Sequence, residues 1–113
     1  MEIISKVTDD ILKVAIIGDL DANGAINLDN IIKKAIEDKY YKIIVDCQNL
    51  AYISSAGLGV FISYHEDLTE NNGRFVFCNM TDNVLNVFKI LGLEKIMTIT
   101  GNLSDAKQVM NEN

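Results

Sequence analysis

The sequence contains no proline, only one histidine (His65), and two cysteines that do not form a CxxC pair. Without proline there is no candidate cis-proline switch and no proline-rich linker. One imidazole, with Cys47 and Cys78 distant from it in sequence, leaves too few groups for a metal site or for nucleophilic catalysis. A GxG fragment without a GxxxxGK[ST] motif does not indicate a phosphate-binding loop. We therefore expect no metal, no cofactor and no enzymatic activity.

Long apolar runs and an excess of positive charge are also missing. The longest purely apolar runs are about four residues, against the roughly 20 needed to cross a bilayer, and residues 1–10 lack the regions of a signal peptide. The 10 basic and 16 acidic side chains give a net charge of −6, which phosphate backbones would repel. We expect a cytoplasmic protein with no membrane or nucleic-acid partner, whose Cys47 and Cys78 pack in the core as reduced thiols.

What is present is a globular composition with a regular alternation of strand and helix patterns. At 113 residues, 49% of them hydrophobic, the chain is expected to form one domain over residues 1–113. Strands are predicted at 3–7, 11–17, 42–46, 74–78 and 96–100. Helices are predicted from Leu28 to near Asp38, over 55–70, from a Thr81 cap to Gly92, and after a Ser104 cap. The order ββαβαβαβα predicts an α/β fold with a mixed, mostly parallel sheet and the first strand antiparallel at or near an edge.

The second predicted helix carries an apolar face at helical spacing. Its members are Leu58, Phe61, Ile62, His65 and Leu68. A histidine on such a face is expected to be a hydrogen-bonded residue at the edge of the core and not a ligand.

The most informative segment is residues 50–61, LAYISSAGLGVF, in which a strand leads through a polar loop into a helix. Serine is a favoured N-cap because its hydroxyl accepts a hydrogen bond from an exposed backbone N–H, so Ser54 or Ser55 is expected to cap the helix. One serine suffices for capping. The residues that follow are small and leave the other hydroxyl approachable: Ala56, Gly57 and Gly59. This pattern predicts a docking site at the start of the helix.

A second polar loop, residues 18–25 with the sequence GDLDANGA, follows the second predicted strand and opens the first helix. Aspartate and asparagine are common turn and cap residues, and acidic side chains favour a helix N-terminus. Loops that leave the carboxyl ends of parallel strands emerge at the same edge of a sheet. We therefore expect Asp21 and Asn23 to lie near Ser54 and Ser55.

With these segments in place, the chain resembles the anti-sigma factor antagonists, bacterial single-domain proteins of the STAS fold. The resemblance covers essentially all 113 residues and depends on the element order and on three motifs: GDLD, VDCQNLAYISSAGLGVF and FKILGLEKI. It implies that an anti-sigma factor, which is also a serine kinase, phosphorylates a serine at the start of this helix. It further implies that a PP2C-type phosphatase reverses the modification. The register with Gly57-Leu58-Gly59 assigns the phosphate to Ser55.

The chain departs from the family pattern on both sides of Ser55. Many members carry an acidic residue before the phosphorylated serine and a Ser or Thr after it, whereas this chain has Ser54 and Ala56, so Ser54 is a rival acceptor. Two other functions stay open, a STAS scaffold domain that does not switch and a small nucleotide-binding α/β protein. The predicted partner-binding residues are Asp21, Asn23, Ser54, Ser55, Ala56, Gly57, Leu58 and Gly59.

Overall fold

The computed structural model describes residues 1–111 and opens with an antiparallel hairpin of β1 (Glu2–Thr8) and β2 (Ile11–Leu20). Both strands are rich in β-branched residues, which pack well on a pleated surface. The two-residue turn between them places Asp9 at a φ of 58°, a conformation that aspartate tolerates better than most residues. The strand β1 forms one edge of the sheet, as predicted.

The rest of the chain confirms the predicted alternation of strands and helices, with one strand added. The remaining elements are α1 (Ala22–Glu37), β3 (Lys42–Asp46), β4 (Leu50–Ile53), α2 (Ser55–Glu70), β5 (Arg74–Cys78), α3 (Asp82–Ile90), β6 (Thr98–Ile99) and α4 (Leu103–Asn111). The sheet runs β1-β2-β3-β5-β6, and β4 pairs with β2. Because every pairing except the hairpin is parallel, the sheet is mixed and mostly parallel.

The strand that the sequence indicates at the start of residues 50–61 is β4, which the predicted element order omits because its four residues are too few for a periodic pattern. It pairs in parallel with the end of β2, where Leu20 lies opposite Ile53. The register shifts between Gly18 and Asp19, and Gly18 has a φ of 95°, which only glycine adopts without strain. The first half of β2 therefore pairs with β3 and its end pairs with β4.

The helices cover both faces of the sheet unequally. One face packs against α1, α2 and α3 and forms the larger core. There Phe61 of α2 makes edge-to-face contacts with Phe75 and Phe77 of β5, at centroid distances of 5.2 and 4.9 Å. Within residues 1–111, α4 is the helix that packs on the other face, through a smaller cluster that includes Ala106 and Met110. The larger core fixes α1 and α2 against the sheet.

Both cysteines are buried free thiols, which confirms the prediction that they pack in the core. The backbone N–H of Cys47 donates to the carbonyl of Cys78 at 2.9 Å, so the two residues are neighbours on adjacent segments. Their side chains nevertheless lie on opposite faces of the sheet, Cys47 in the larger core and Cys78 in the cluster under α4. A disulfide needs Cβ atoms that point toward each other, so this pair cannot form one.

Several details of the sequence prediction are wrong. The helix α1 begins at Ala22 and not at Leu28, and β2 continues to Leu20 beyond the predicted residue 17. The cap of α4 is Asn102, whose side-chain oxygen accepts from the backbone N–H of Asp105 at 2.8 Å, and Ser104 is the second residue of the helix. The strand β6 is reduced to Thr98–Ile99 because Ile96 and Met97 donate their backbone N–H groups to the carbonyl of Leu93 and close the preceding 3₁₀ turn. Ile62 is exposed rather than part of the apolar face of α2. Phe61 and Leu68 are buried members of that face.

Candidate functional site

The ends of β2 and β4 place the N-termini of α1 and α2 side by side. The backbone N–H of Ser54 donates to the carbonyl of Leu20 at 2.9 Å, one residue beyond the paired strands. Asp21 follows Leu20 directly, so the two polar loops are held together by the sheet itself. This confirms the expected common edge for the loop before α1 and the loop before α2. We call the residues at these two helix starts, Asp21, Asn23, Ser54, Ser55, Ala56 and Gly59, the helix-start edge.

Asp21 is the N-cap of α1. Its carboxylate Oδ1 accepts from the backbone N–H of Gly24 at 2.8 Å, and its carbonyl accepts from the N–H of Ala25 at 2.9 Å. Asn23, in the first turn, is exposed. Asp21 is also exposed. Asp21 thus stabilises the N-terminus of α1, in addition to any role in binding a partner.

The two serines differ in position and in hydrogen bonding. Ser54 is the N-cap of α2, half-buried, and its Oγ accepts from the backbone N–H of Gly57 at 3.1 Å. Ser55 is the first residue of the helix and is exposed. The capping duty therefore falls on Ser54, and the hydroxyl of Ser55 lies at the surface beside the helix N-terminus.

The small residues after the serines have two different environments. Gly57 is buried, and a Cβ there would lie 2.8 Å from Leu20 Cδ2 and 3.2 Å from Ile53 Cγ1. Leu58 is buried as well. Gly59 is exposed, with no atom within 4 Å of the position of a Cβ, and Ala56 is exposed. Gly57 and Leu58 therefore support the surface from beneath, whereas Ala56 and Gly59 are open to a partner.

An exposed aromatic side chain, absent from the predicted set, flanks the helix-start edge. Tyr52 of β4 is 55% exposed and lines a small cavity of about 60 Å³ with Asn83 and Val87 of α3. Its neighbour Ile53 is buried in the larger core. Burial along residues 50–53 runs buried, exposed, exposed, buried, so the strand has no alternation from which the sequence could identify Tyr52.

Other groups with chemical potential lie away from this edge. His65 is half-buried and lines a cleft of about 470 Å³ with Thr69 and Asn72, at the C-terminal half of α2. Within residues 1–111, no three His, Cys, Asp or Glu side chains are grouped so that they could hold a metal ion. No helix in this part of the chain is long and apolar enough to span a bilayer.

The buried thiols are held in the protonated form. Burial raises the pKa of Cys47 well above its ordinary range, and the charges of Cys78 and Asp46 act in the same direction. Burial also raises the pKa of Cys78 to about 11, with a contribution from Asp46. Because the thiolate is the nucleophile, neither cysteine is activated for chemistry at neutral pH.

These features define a small α/β domain with a mixed sheet. Its candidate site is formed by two adjacent helix N-termini, each capped by a polar side chain. The STAS domain family model matches residues 2–106. The chain belongs to the STAS domain family.

Relatives and solved structures agree with this assignment. The chain is 25% identical over 99 residues to the anti-sigma-B factor antagonist of Staphylococcus aureus, with 88% of this chain and 92% of that protein covered. An anti-sigma factor antagonist of Mycobacterium paratuberculosis has a TM-score of 0.88 at 20% identity, covering 98% and 94% of the two chains. The Bacillus cell fate determinant SpoIIAA in its phosphorylated form has a TM-score of 0.76 at 22% identity, covering 96% and 99%. The structural matches share the fold.

Proposed function

We propose that this protein is an anti-sigma factor antagonist that binds an anti-sigma factor through the helix-start edge and thereby releases a sigma factor in the cytoplasm. In this proposal the anti-sigma factor is also a serine kinase, phosphorylation of Ser55 turns the antagonist off, and a PP2C-type phosphatase restores it. The protein itself is a regulator without enzymatic activity. Relatives named as anti-sigma factor antagonists and a structural match solved in a phosphorylated form support this proposal.

The observation that carries the proposal is that Ser54 caps α2 whereas the hydroxyl of Ser55 is exposed. Ser54 is half-buried and its Oγ already accepts from the N–H of Gly57 at 3.1 Å, so a kinase would have to disturb the cap of α2 to reach this hydroxyl. Ser55 is exposed and follows the cap, so a phosphate there leaves the hydrogen bond in place. This favours Ser55 over its rival Ser54 as the acceptor.

The expected switch is electrostatic and local. A phosphoserine carries about −1.5 to −2 charges at pH 7, and Ser55 lies on the same edge as the exposed carboxylate of Asp21. The positive end of the α2 dipole offsets part of this repulsion in the free protein. A partner docked over the edge would have to desolvate the added charge, and a loss of only about 1.4 kcal/mol weakens binding tenfold.

Intact-mass and fragment mass spectrometry after incubation with the cognate anti-sigma kinase and ATP test the proposal. We expect one added phosphate on the wild type and on Ser54→Ala, and none on Ser55→Ala. A STAS scaffold that does not switch would give no phosphate on any of the three proteins. Phosphate on Ser55→Ala but not on Ser54→Ala would move the acceptor to Ser54.

A further inference from the structure

The outer edge of β1 is unpaired along all seven residues of the strand within residues 1–111. The opposite edge of the sheet is the two-residue strand β6. Proteins protect exposed edges with short strands, proline, bulges, charged side chains or a covering segment. The chain contains no proline, and the β1–β2 register runs without a shift from Glu2 opposite Ile17 to Thr8 opposite Ile11. Of these devices, β1 has the charges of Glu2 and Lys6.

The hairpin turn determines which backbone groups of β1 face the outer edge. The turn has two residues, so Thr8 and Ile11 close the hairpin and form a hydrogen-bonded pair. Directly opposite residues in an antiparallel pair alternate between hydrogen-bonded and non-hydrogen-bonded. Even-numbered residues of β1 therefore direct their N–H and C=O groups to β2. The odd-numbered residues Ile3, Ser5 and Val7 direct theirs outward.

A further strand has room to add beside β1 on both faces of the sheet. On the face of the larger core, Ser5 and Val7 border a groove of about 320 Å³ between β1 and α1. On the opposite face, Lys6 borders a groove of about 280 Å³ between the hairpin and α4. Within residues 1–111, neither of these helices extends over the outer edge of β1.

The sequence of β1 is complementary to itself when two copies run antiparallel. Pairing of the outward groups requires odd-numbered residues to face odd-numbered ones, so the two-fold axis has to pass through a residue. With the axis at Ile4, this residue lies opposite its own copy and Ile3 lies opposite Ser5. Glu2 of each copy then lies opposite Lys6 of the other. Opposite charges directly across an antiparallel pair stabilise it, and this register forms two such pairs.

The neighbouring symmetric registers are less favourable. An axis at Ser5 places Ile4 opposite Lys6. An axis at Ile3 places Glu2 opposite Ile4. Both registers pair a charged side chain with an apolar one and leave no opposite charges across the junction. The charges of β1 therefore select one register for self-pairing, instead of only blocking the edge.

The selected register also compensates features that are unfavourable in the single chain. Lys6 lies opposite Lys13 within the hairpin, and like charges in this position destabilise a strand pair. Within residues 1–111, neither Glu2 nor Lys6 takes part in an ion pair. A second Glu2 beside Lys6 would offset the repulsion. Met1 and Val7, which are 49% and 42% exposed, would lie opposite each other across the junction.

We propose that β1 is a self-association edge, through which two copies of this chain join their sheets with Glu2 of each opposite Lys6 of the other. The product is a two-fold symmetric dimer with one continuous sheet. Because β1 is antiparallel to β2, the two helix-start edges lie at opposite ends of the junction between the copies. The dimer therefore carries two separate sites for an anti-sigma factor, if the function proposed above holds.

Sedimentation velocity over a series of protein concentrations tests the proposal. Each copy carries a net charge of −6, so the ionic strength is kept near physiological, where long-range repulsion is screened. We expect a wild-type dimer and at least tenfold weaker dimerisation of Glu2→Lys and of Lys6→Glu, since each variant places like charges opposite each other twice. An equimolar mixture of the two variants should form a mixed dimer about as tightly as wild type, because both cross-strand pairs again have opposite charges.

The matched controls are Lys89→Glu and Glu94→Lys, which reverse two exposed charges outside β1 and should leave dimerisation unchanged. Ser5→Pro tests the backbone pairing without a change of charge. Proline is tolerated on an edge strand where the N–H faces solvent, so this variant should keep the melting temperature of the wild-type monomer and should not dimerise. Thermal melts of all variants establish that they are folded.

Four results would overturn the proposal: a wild type that stays monomeric at every concentration, equal losses in the control variants, a mixture that associates no better than its two components, or a folded Ser5→Pro that still dimerises. The last two would place any dimer interface outside the predicted register of β1. Because these measurements use no partner protein, their failure leaves the function proposed for the helix-start edge unaffected.

Discussion

Gly57 lies against Leu20, so closely that a Cβ on Gly57 would be 2.8 Å from Leu20 Cδ2 and 2.9 Å from Leu20 Cγ. Leu20 is fully buried at the end of β2 and cannot move aside without disturbing the core. The glycine therefore lets α2 begin directly beside the end of β2. This contact positions Ser55 next to the loop that carries Asp21.

Replacing Gly57 with alanine should therefore destabilise the protein, although alanine is the better helix former. We expect a loss of about 1 to 3 kcal/mol in the free energy of unfolding, the usual cost of overpacking a core. Urea denaturation measures it. The closeness of Leu20 would be refuted as the cause if Leu20→Ala/Gly57→Ala lost as much stability as the sum of the two single variants.

Gly59→Ala is the matched substitution on the same helix, because no atom lies within 4 Å of the added methyl group. It should raise the free energy of unfolding by up to about 1 kcal/mol through helix propensity alone. If the partner approaches this turn closely, the same variant binds the anti-sigma factor more weakly by calorimetry. Increased stability with unchanged affinity would show that Gly59 lies outside the interface.

Replacing each serine by alanine in turn separates the capping role of Ser54 from the regulatory role proposed for Ser55. Ser54→Ala removes the acceptor for the Gly57 N–H and should cost about 1 kcal/mol of stability. Ser55→Ala removes an exposed hydroxyl and should change stability by less than about 0.5 kcal/mol. Thermal and urea unfolding of both variants check this. Equal losses would mean that the two hydroxyls share the cap.

Asp21→Asn distinguishes the charge of Asp21 from its cap. Asparagine keeps an oxygen for the N–H of Gly24 and caps a helix as well as aspartate does, whereas Asp21→Ala would also lose the cap. We expect near wild-type stability and partner binding weakened by about threefold, the scale of one exposed ion pair. If Asp21→Asn bound the partner with wild-type affinity, the charge of Asp21 would have no role in binding and the residue would act only as the cap of α1.

The raised thiol pKa values predict a decline of stability in alkali. The unfolded chain releases the proton of Cys78 near the ordinary pKa of 9.0, whereas the folded chain retains it to about 11. The folded state then binds more protons, so this contribution to stability is full below pH 9 and decreases as the pH rises from 9 to 11. Cys78→Ala should show a shallower decline. An identical slope in both proteins would contradict the assignment.

The fold was predictable because its signals are local and periodic. Residues 42–46, 55–70 and 74–78 were predicted with the bounds that the structure has. A strand was indicated at the start of residues 50–61 but left out of the predicted order, because the four residues of β4 are too few for a period and its pairing depends on the register shift at Gly18. The cap at Asn102 was missed because Asn102 and Ser104 are both suitable cap residues and only geometry chooses between them.

The candidate site was predictable in position but not in the roles of its residues. Topology alone brings Asp21 and Ser54 to one edge, since both follow the ends of paired parallel strands. The sequence cannot say which serine caps, because either could accept the hydrogen bond. The sequence also cannot show that Gly57 is buried and Gly59 is open, since this difference arises from the contact of Gly57 with Leu20, which is far away in the sequence. Such information depends on packing between segments far apart in the chain.

The most direct test of the account is calorimetric titration of the anti-sigma partner with Ser55→Asp and Ser55→Ala, beside thermal melts of both variants. Aspartate suits the positive end of α2, so Ser55→Asp should fold with a stability within about 1 kcal/mol of wild type. It should bind at least tenfold more weakly because of its charge on the helix-start edge, while Ser55→Ala binds within twofold of wild type. Binding of Ser55→Asp within twofold of wild type would contradict a switch that acts through charge at Ser55.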